Sequence, residues 1–390
     1  VGNNEVGGDF PGFSNFYTSV GTANYDINGT GNSTITGFEQ GSTGNPDLKW
    51  ETSAMTNIGI DATVFKNFSV MVEWYLRKTT DMIYNVELPL ELGAVGRQAQ
   101  NIGSMKNTGI DFSLAYAKRI NRDFNFNVAV TGSTVKNTVL KLEANDNSFI
   151  RSGGTRIGDV TYTKAGLPIS QFYGYICDGL WKSQSEINSV LFKNAGDAKV
   201  GRFKYRDLNK DGQIDNNDET FIGSPLPKFL LGLNLTANYK NFDFTAYLSG
   251  TYGNKLFNFV KYFTHMNAFQ RNRSKDFLYE AGKTLPVLDG GDNYSSQRNS
   301  YYVEDGSFTR LRNLQVGYSL PANVLKRLSL QRCRFYVQGQ NLLTFTKYSG
   351  LDPDVTVSNI TEGYNSQRDL AIGLDNGRYP LARTIIFGIN

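Results

Sequence analysis

The chain has no apolar run long enough for a membrane-spanning helix. Its mean hydropathy is −0.38, and no stretch approaches the roughly 18 consecutive apolar residues that such a helix needs. Helical spans are therefore excluded, whereas a β-barrel is not, because barrel strands are apolar only at alternate positions. The opening sequence VGNNEVGG has neither the basic nor the apolar region of a signal peptide, so we expect any signal to lie upstream or to have been removed.

Charge, histidine and cysteine are also scarce. Charged residues make up 19% of the chain and the net charge is +4; no basic block indicates a nucleic-acid partner. Cys177 and Cys333 are isolated, so neither a disulfide framework nor a zinc site is expected. The single histidine, His265, has no nearby GxSxG motif or acidic partner. We therefore expect the protein not to be an enzyme.

Alternating apolar and polar residues are abundant. In FSVMVEWYLRKTTDMI (68–83) the apolar set is Val70, Val72, Trp74 and Leu76. A period of two is typical of a strand with one apolar and one polar face. Three hairpins share this plan, turning near 65–68, 118–123 and 239–242, and further strands are predicted within 309–321, 334–345 and 382–390. The sequence therefore predicts an all-β, antiparallel fold of about nine strands.

The connections between these strands alternate between short and long. The long ones are 1–48, 80–100, 141–227, 252–306 and 347–381, and aromatic residues crowd the short turns. An outer-membrane barrel has short periplasmic turns, long extracellular loops and aromatic girdles. We therefore predict a transmembrane barrel in which Val70, Val72, Trp74 and Leu76 face lipid while Glu73 and Arg77 face the lumen. Packing at the hairpin ends of a soluble β-protein is the alternative.

Several phrases resemble one known family. They are GNPDLKWETS (44–53), NIGSMKNTGIDFSL (101–114), DLNKDGQIDNNDETFIGSPLPKFLLGLN (207–234), DGSFTRLRNLQVGYSLP (305–321) and QNLLTFTKYSGLDPDV (340–355). Their order and content are similar to the SusC/RagA branch of TonB-dependent outer-membrane transporters.

The resemblance implies that residues 1–390 correspond to the C-terminal half of a roughly 22-stranded barrel with a plugged lumen. The plug and the TonB box would then lie upstream. It further implies TonB-dependent import of oligosaccharide or peptide through the outer membrane of a Gram-negative-type bacterium. A SusD-like surface lipoprotein and outer-membrane lipid would be partners. The alternative is a non-transporting, β-rich, calcium-dependent binding or adhesion protein.

The segment 141–227 is expected to be an extracellular insertion that carries an EF-hand-like loop, DLNKDGQIDNND (207–218). Oxygen ligands at this spacing surround Ca²⁺, and a glycine at position 6, here Gly212, permits the sharp turn. The predicted structural Ca²⁺ ligands are Asp207, Asn209, Asp211, Gln213, Asp215 and Asp218. Asp218 stands where a bidentate Glu is usual. The alternative is a solvated turn rich in Asx residues.

Aromatic side chains are frequent in the long connections. Such rings either hold carbohydrate or peptide ligands or pack the loops against one another. The rings concerned are Phe10, Phe13, Phe16, Tyr17, Tyr25, Phe172, Tyr173, Tyr175, Trp181, Tyr262, Phe263, Tyr294, Tyr301 and Tyr302.

Overall fold

The computed structural model describes residues 44–86, 98–142, 149–192, 198–266, 273–355 and 370–390, together with short strands within 15–42. In chain order the strands are β1 Asn15–Tyr17, β2 Asn24–Asp26, β3 Thr34–Thr36, β4 Glu39–Ser42, β5 Thr52–Val64, β6 Phe68–Val86, β7 Gln98–Arg119, β8 Phe124–Thr134, β9 Lys136–Leu142, β10 Phe149–Thr155, β11 Gly158–Lys164, β12 Gln171–Tyr175, β13 Cys177–Leu180, β14 Leu191–Phe192, β15 Phe203–Tyr205, β16 Gln213–Ile214, β17 Glu219–Gly223, β18 Phe229–Tyr239, β19 Phe242–Tyr252, β20 Lys255–Asn258, β21 Val303–Asp305, β22 Phe308–Ser319, β23 Arg334–Thr346, β24 Leu374–Asp375 and β25 Thr384–Ile389.

Helices are few and short. They are α1 Gln184–Asn188, α2 Val260–His265, α3 Phe277–Glu280 and α4 Ala322–Arg327, with 3₁₀ turns at Asn216–Asp218 and Ser300–Tyr302. None of the helices within the described ranges is long and apolar enough to span a membrane.

One large antiparallel sheet dominates the fold. Nine strands follow the order β25-β23-β22-β19-β18-β8-β7-β6-β5, and β9 pairs with the upper part of β7. Within the described residues β5 and β25 each have one neighbour, so the sheet is an open section of barrel wall. The predicted all-β, antiparallel barrel architecture is confirmed.

Short connections lie along one edge of this sheet, as predicted. β5 and β6 are joined by 65–67, where Phe65 and Lys66 have φ angles of 52° and 63°, and β18 and β19 are joined by only Lys240 and Asn241. Positive φ angles suit the right-handed twist of tight hairpins. The turns also bond to their neighbours: the backbone N–H of Lys240 donates to the carbonyl of Asp123 at 2.7 Å.

β6 and β7 extend further than the alternation predicted. The sequence assigned 80–100 to a loop, whereas β6 continues to Val86 and β7 begins at Gln98. The pairing register shifts between Thr79 and Met82, and Asp81 between them has a φ of 56°. A second shift between Met82 and Ile83 restores the register, so the ladder is irregular between Thr79 and Ile83, as at a β-bulge. The pattern of period two is therefore lost here although pairing continues, and the predicted loop boundaries were wrong.

At the opposite edge the long connections form a layer with its own hydrophobic core. We call the described residues of 149–227, 253–307 and 347–383 the loop layer. Its main core consists of Val160, Phe172, Tyr175, Leu180, Phe203, Tyr205, Ile214, Phe257, Phe259, Met266, Tyr294, Tyr302 and Leu374. These residues come from all three connections. The segment 141–227 therefore shares its core with the two connections that follow.

Candidate functional site

The large sheet has one apolar and one polar face. Strand register aligns a row of aliphatic residues across seven strands: Val70, Leu114, Val130, Leu233, Leu248, Leu311 and Leu343. Side chains that alternate with these point to the other face, where one row reads Asn127, Thr236, Thr245, Gln315 and Gln338. The sheet thus has the apolar outside and polar inside of a membrane barrel wall.

Aromatic side chains bound the apolar face at both ends. Beside the short turns the register aligns Phe124, Tyr239, Phe242, Tyr318 and Phe335. Ten residues further along β18, the ring of Phe229 stacks on that of Tyr252 at 6.2 Å. Ten residues at about 3.3 Å each, tilted by about 40°, span roughly 25 Å of membrane normal. This is the expected height of the apolar band of an outer-membrane barrel.

The predicted faces of β6 agree with the pairing. Val72 and Trp74 stand opposite Phe112 and Ile110 on the apolar face, and Glu73 stands opposite Asp111 on the polar face.

The polar face contains a hollow of about 650 Å³. It is lined in about equal parts by polar side chains, among them Asp111, Ser113, Thr131, Tyr247, Ser249 and Arg312, and by apolar ones, among them Met71, Phe112, Leu230 and Leu231. The hydroxyl of Thr131 packs directly against Gly232, where a larger residue would not fit. At one end Ser133 donates to Asp111 at 2.5 Å, and at the other Arg312 donates to Ser249 at 2.8 Å. Such a surface can exchange hydrogen bonds with a polar solute.

Two arginines of β22 fasten the loop layer to the wall. Arg310 is 2% exposed and donates to Asp352 at 2.5 Å, and Arg312 donates to Asp354 at 2.8 Å. Burial by itself raises the pKa of Asp352, but the backbone N–H groups of Leu381 and Asp354, together with Arg310, bring it below its usual range. Removing one partner of such a buried pair costs several kcal/mol, because it leaves the other charge unpaired.

This joint was missed in the sequence. Both halves lie in the quoted phrases TRLRNLQ and GLDPDV, but they are about forty residues apart. The sequence did contain a signal of irregular structure here. The spacing of the apolar residues Leu311 and Leu314 breaks the apolar–polar alternation of the strand. The structure has a bulge between Leu311 and Asn313.

The aspartate loop folds as a compact turn. Asp207 accepts hydrogen bonds from the backbone N–H groups of Lys210 at 2.6 Å and Gly212 at 2.8 Å. Asp211 accepts from the N–H of Gln213 at 2.8 Å, and Gly212 has a φ of 80°. Gly212 therefore supplies the left-handed turn expected at position 6.

Asp215 and Asp218 form a capping box. Asp218 is fully buried, and its two oxygens accept from the N–H groups of Leu208 at 2.8 Å and Asp215 at 2.9 Å. Among the described residues no three Asp, Glu, His or Cys side chains are arranged to hold a metal ion. These bonds are those of the Asx-rich turn that was the alternative, and Ca²⁺ binding by the six named residues stays a prediction.

Most of the loop aromatics within the described residues pack the layer. Phe172, Trp181 and Tyr302 are at most 2% exposed, and Tyr175 stacks on Tyr205 at 4.7 Å. The predicted rings from Phe10 to Tyr25 lie outside the residues whose side chains are described. Loop packing therefore accounts for the buried rings.

His265 joins two helices of the loop layer. Its Nδ1 lies 2.7 Å from the hydroxyl of Tyr301, and its Nε2 lies 3.4 Å from Asp276. Burial, followed by the charge of Lys261, lowers the pKa of His265. This is the environment of a neutral, hydrogen-bonded histidine. The expectation that His265 has no acidic partner was wrong, because the fold brings Asp276 beside it.

Comparison with known proteins agrees with this architecture. Residues 7–342 match the family model described as TonB dependent receptor-like, beta-barrel. The chain is 34% identical over 385 residues to TonB-dependent receptor P3 of Formosa agariphila, covering 97% of this chain and 37% of that protein. It is 27% identical over 360 residues to TonB-dependent receptor SusC of Bacteroides thetaiotaomicron, covering 89% and 32%. The chain spans about a third of the length of these relatives.

Solved structures of the RagAB peptide importer have the same fold. The closed-closed state matches with a TM-score of 0.76 and 26% identity, over 99% of this chain and 39% of that chain. The open-open state matches with a TM-score of 0.74 and 26% identity, over 98% and 38%.

Proposed function

Because the chain belongs to the TonB-dependent receptor-like β-barrel family, we propose that the protein imports peptides or oligosaccharides in a TonB-dependent manner. Its location is the outer membrane of a Gram-negative bacterium, as for the SusC and RagA relatives. Import is a transport activity without covalent chemistry. That the protein is not an enzyme stays a prediction.

The observation that carries the proposal is the division of the sheet into two faces. An apolar band about 25 Å high suits lipid, while an inner wall with rows of amide and hydroxyl side chains suits the passage of a polar solute. A binding or adhesion protein, the alternative, would need an exposed loop layer but no polar wall behind it. The polar inner face of the sheet therefore favours transport.

Peptide is the substrate class that we favour. The similarity over nearly the whole chain to a peptide importer supports it; oligosaccharide is the competing class. We further propose a SusD-like lipoprotein as the partner at the long-loop edge. In this orientation the loop layer is extracellular, and the short turns are periplasmic.

A direct test measures uptake by a host strain that lacks the gene and carries a plasmid copy of it. We expect the wild-type copy to restore uptake of labelled peptides, and depletion of TonB to abolish it. Restored uptake of labelled oligosaccharides alone would reverse the substrate assignment. Unchanged uptake in the deletion strain would contradict the transport function.

Two substitutions on adjacent residues test the role of the wall. Thr131→Trp fills the hollow on the polar face, whereas Val130→Trp places the same ring on the apolar face. At equal surface expression we expect uptake to fall only in Thr131→Trp. Purification of the wild-type complex, followed by identification of a bound lipoprotein, tests the partner separately.

A further inference from the structure

The short-turn edge of the wall has a strong positive charge. The segments 65–67, 118–123, 240–241 and 320–333 together contain eight lysines and arginines but one acidic residue, Asp123. The net charge of the whole chain is only +4. The rest of the chain is therefore slightly acidic, and the positive charge is concentrated at this edge. We call these eight residues the basic belt; they are Lys66, Lys118, Arg119, Arg122, Lys240, Lys326, Arg327 and Arg332.

No described residue neutralises the belt. All eight side chains are exposed, and none forms an ion pair with another described residue. By contrast, Arg334, one position beyond the belt, is paired with Asp243 at 2.5 Å. Uncompensated like charges along one edge repel each other, so an anionic partner at this edge would lower that repulsion.

The belt is a continuous structure. The backbone N–H of Ala117 donates to the carbonyl of Asn67 at 3.0 Å, and that of Ser319 donates to the carbonyl of Asn241 at 2.8 Å. The bond between Lys240 and Asp123 joins the two central turns. The charged groups therefore lie side by side along the wall.

The belt also adjoins the surface that faces the membrane. The short-turn aromatic row lies directly beside it, with Tyr239 and Phe242 about half exposed at 53% and 52%. In the longest connection, α4 and the residues after it expose Val324, Leu328 and Leu330 among three basic residues. Exposed apolar groups among lysines and arginines are typical of a segment that lies in the headgroup region.

We propose that the basic belt binds the headgroups of anionic phospholipids in the leaflet at the short-turn edge. Clusters of four to eight basic residues beside a membrane-embedded element attract anionic lipids, and each residue strengthens binding several-fold at low salt. The apolar and aromatic residues insert beside the acyl chains and hold the belt at headgroup depth. Lysine and arginine side chains are long enough to reach the phosphates from this position. The proposal depends on the location of the protein in the outer membrane and does not depend on the proposed import function.

The test measures lipid binding to the full-length protein in detergent by native mass spectrometry. The probes are phosphatidylglycerol and phosphatidylcholine with identical acyl chains. We expect the wild type to bind phosphatidylglycerol more tightly, and added sodium chloride to remove most of that preference. The quadruple variant Lys66→Gln/Arg122→Gln/Lys240→Gln/Arg327→Gln should bind phosphatidylglycerol at least about tenfold more weakly while its binding of phosphatidylcholine stays the same.

A matched control removes the same charge from the loop layer. Lys182, Lys210, Lys275 and Lys283 are exposed, and their quadruple replacement by Gln should leave the preference for phosphatidylglycerol unchanged. Equal losses in both variants would overturn the proposal, as would a belt variant that keeps its preference. The salt titration of the wild type tests the proposal even if a variant misfolds. A preference for phosphatidylglycerol that salt does not alter would contradict electrostatic binding by the belt. If an acidic protein of the periplasm displaced bound phosphatidylglycerol more strongly than phosphatidylglycerol vesicles do, the belt would instead be assigned to a protein partner.

Discussion

Two tryptophans show how differently the two regions of the molecule are built. Trp74 lies on the apolar face of the sheet and is 40% exposed, whereas Trp181 lies in the loop layer and is 2% exposed. In the sheet, apolar side chains form rows that contact one another across strands and leave their outer surfaces for lipid. In the loop layer they interdigitate around a closed core. The chain therefore combines a wall whose apolar face contacts lipid with a loop layer that is packed like a soluble domain.

Truncating a ring of the loop core should have the largest effect. Phe257 is fully buried, and its ring lies 5.7 Å from Phe172 and 5.2 Å from Tyr302. We expect Phe257→Ala to destabilise the loop layer by about 3–5 kcal/mol, which limited proteolysis during a thermal ramp would detect. The barrel should keep its heat-modifiable mobility in gels. Leu278→Ala, at a position 76% exposed, is the control, and equal cleavage of both variants would refute the closed core.

A charge on the apolar face should affect the wall instead. Val70 lies in the central aliphatic row, so Val70→Arg should cost roughly 2–4 kcal/mol in lipid vesicles. Its neighbour Ser69 points to the polar face, and Ser69→Arg should cost much less. Urea titrations of folding in vesicles measure both. Similar losses would show that the two faces are wrongly assigned.

Calcium should stabilise the loop layer alone, if the aspartate loop binds it. A hundredfold excess over the dissociation constant adds about 2.7 kcal/mol. We expect a chelator to speed proteolysis of 198–227, and Asp207→Ala/Asp211→Ala to abolish both this effect and calorimetric binding. Lys210→Ala, a change within the loop that removes no oxygen ligand, should retain both. If the chelator leaves the rate of proteolysis unchanged, the loop is an Asx-rich turn that does not bind Ca²⁺.

The smallest expected effect is a pH dependence local to the loop layer. Burial lowers the pKa of His265, so the fold favours the neutral ring. Its contribution to stability is complete above the unfolded pKa of about 6.5 and is lost as the pH falls through the lower folded value. Hydrogen exchange of α2 and α3 between pH 8 and 5 should show this loosening. It should disappear in His265→Gln, while the wall remains unaffected in both proteins.

The wall could be predicted well from the sequence, and the loop layer could not. The strands, short turns and two faces follow from alternation, which a few neighbouring residues encode. Prediction failed at 80–86 and 98–100, because the bulge at Asp81 interrupts the period while the strand continues. In the loop layer the sequence indicated candidate aromatic rings and carboxylates but not the residues that they contact. Whether Phe172 bound a ligand or filled a core was open until Phe257, 85 residues away, was placed beside it.

The sequence by itself determined which residues alternate and where the hairpins turn, since each is a property of neighbouring residues. Only the tertiary structure decided that three separate connections share one core, that Arg310 pairs with Asp352, and that the charged turns lie in one row. The physical reason is the range of the interactions. Strand periodicity comes from the geometry of the local backbone, whereas packing and ion pairing depend on chain closures over tens to hundreds of residues, which no local pattern encodes.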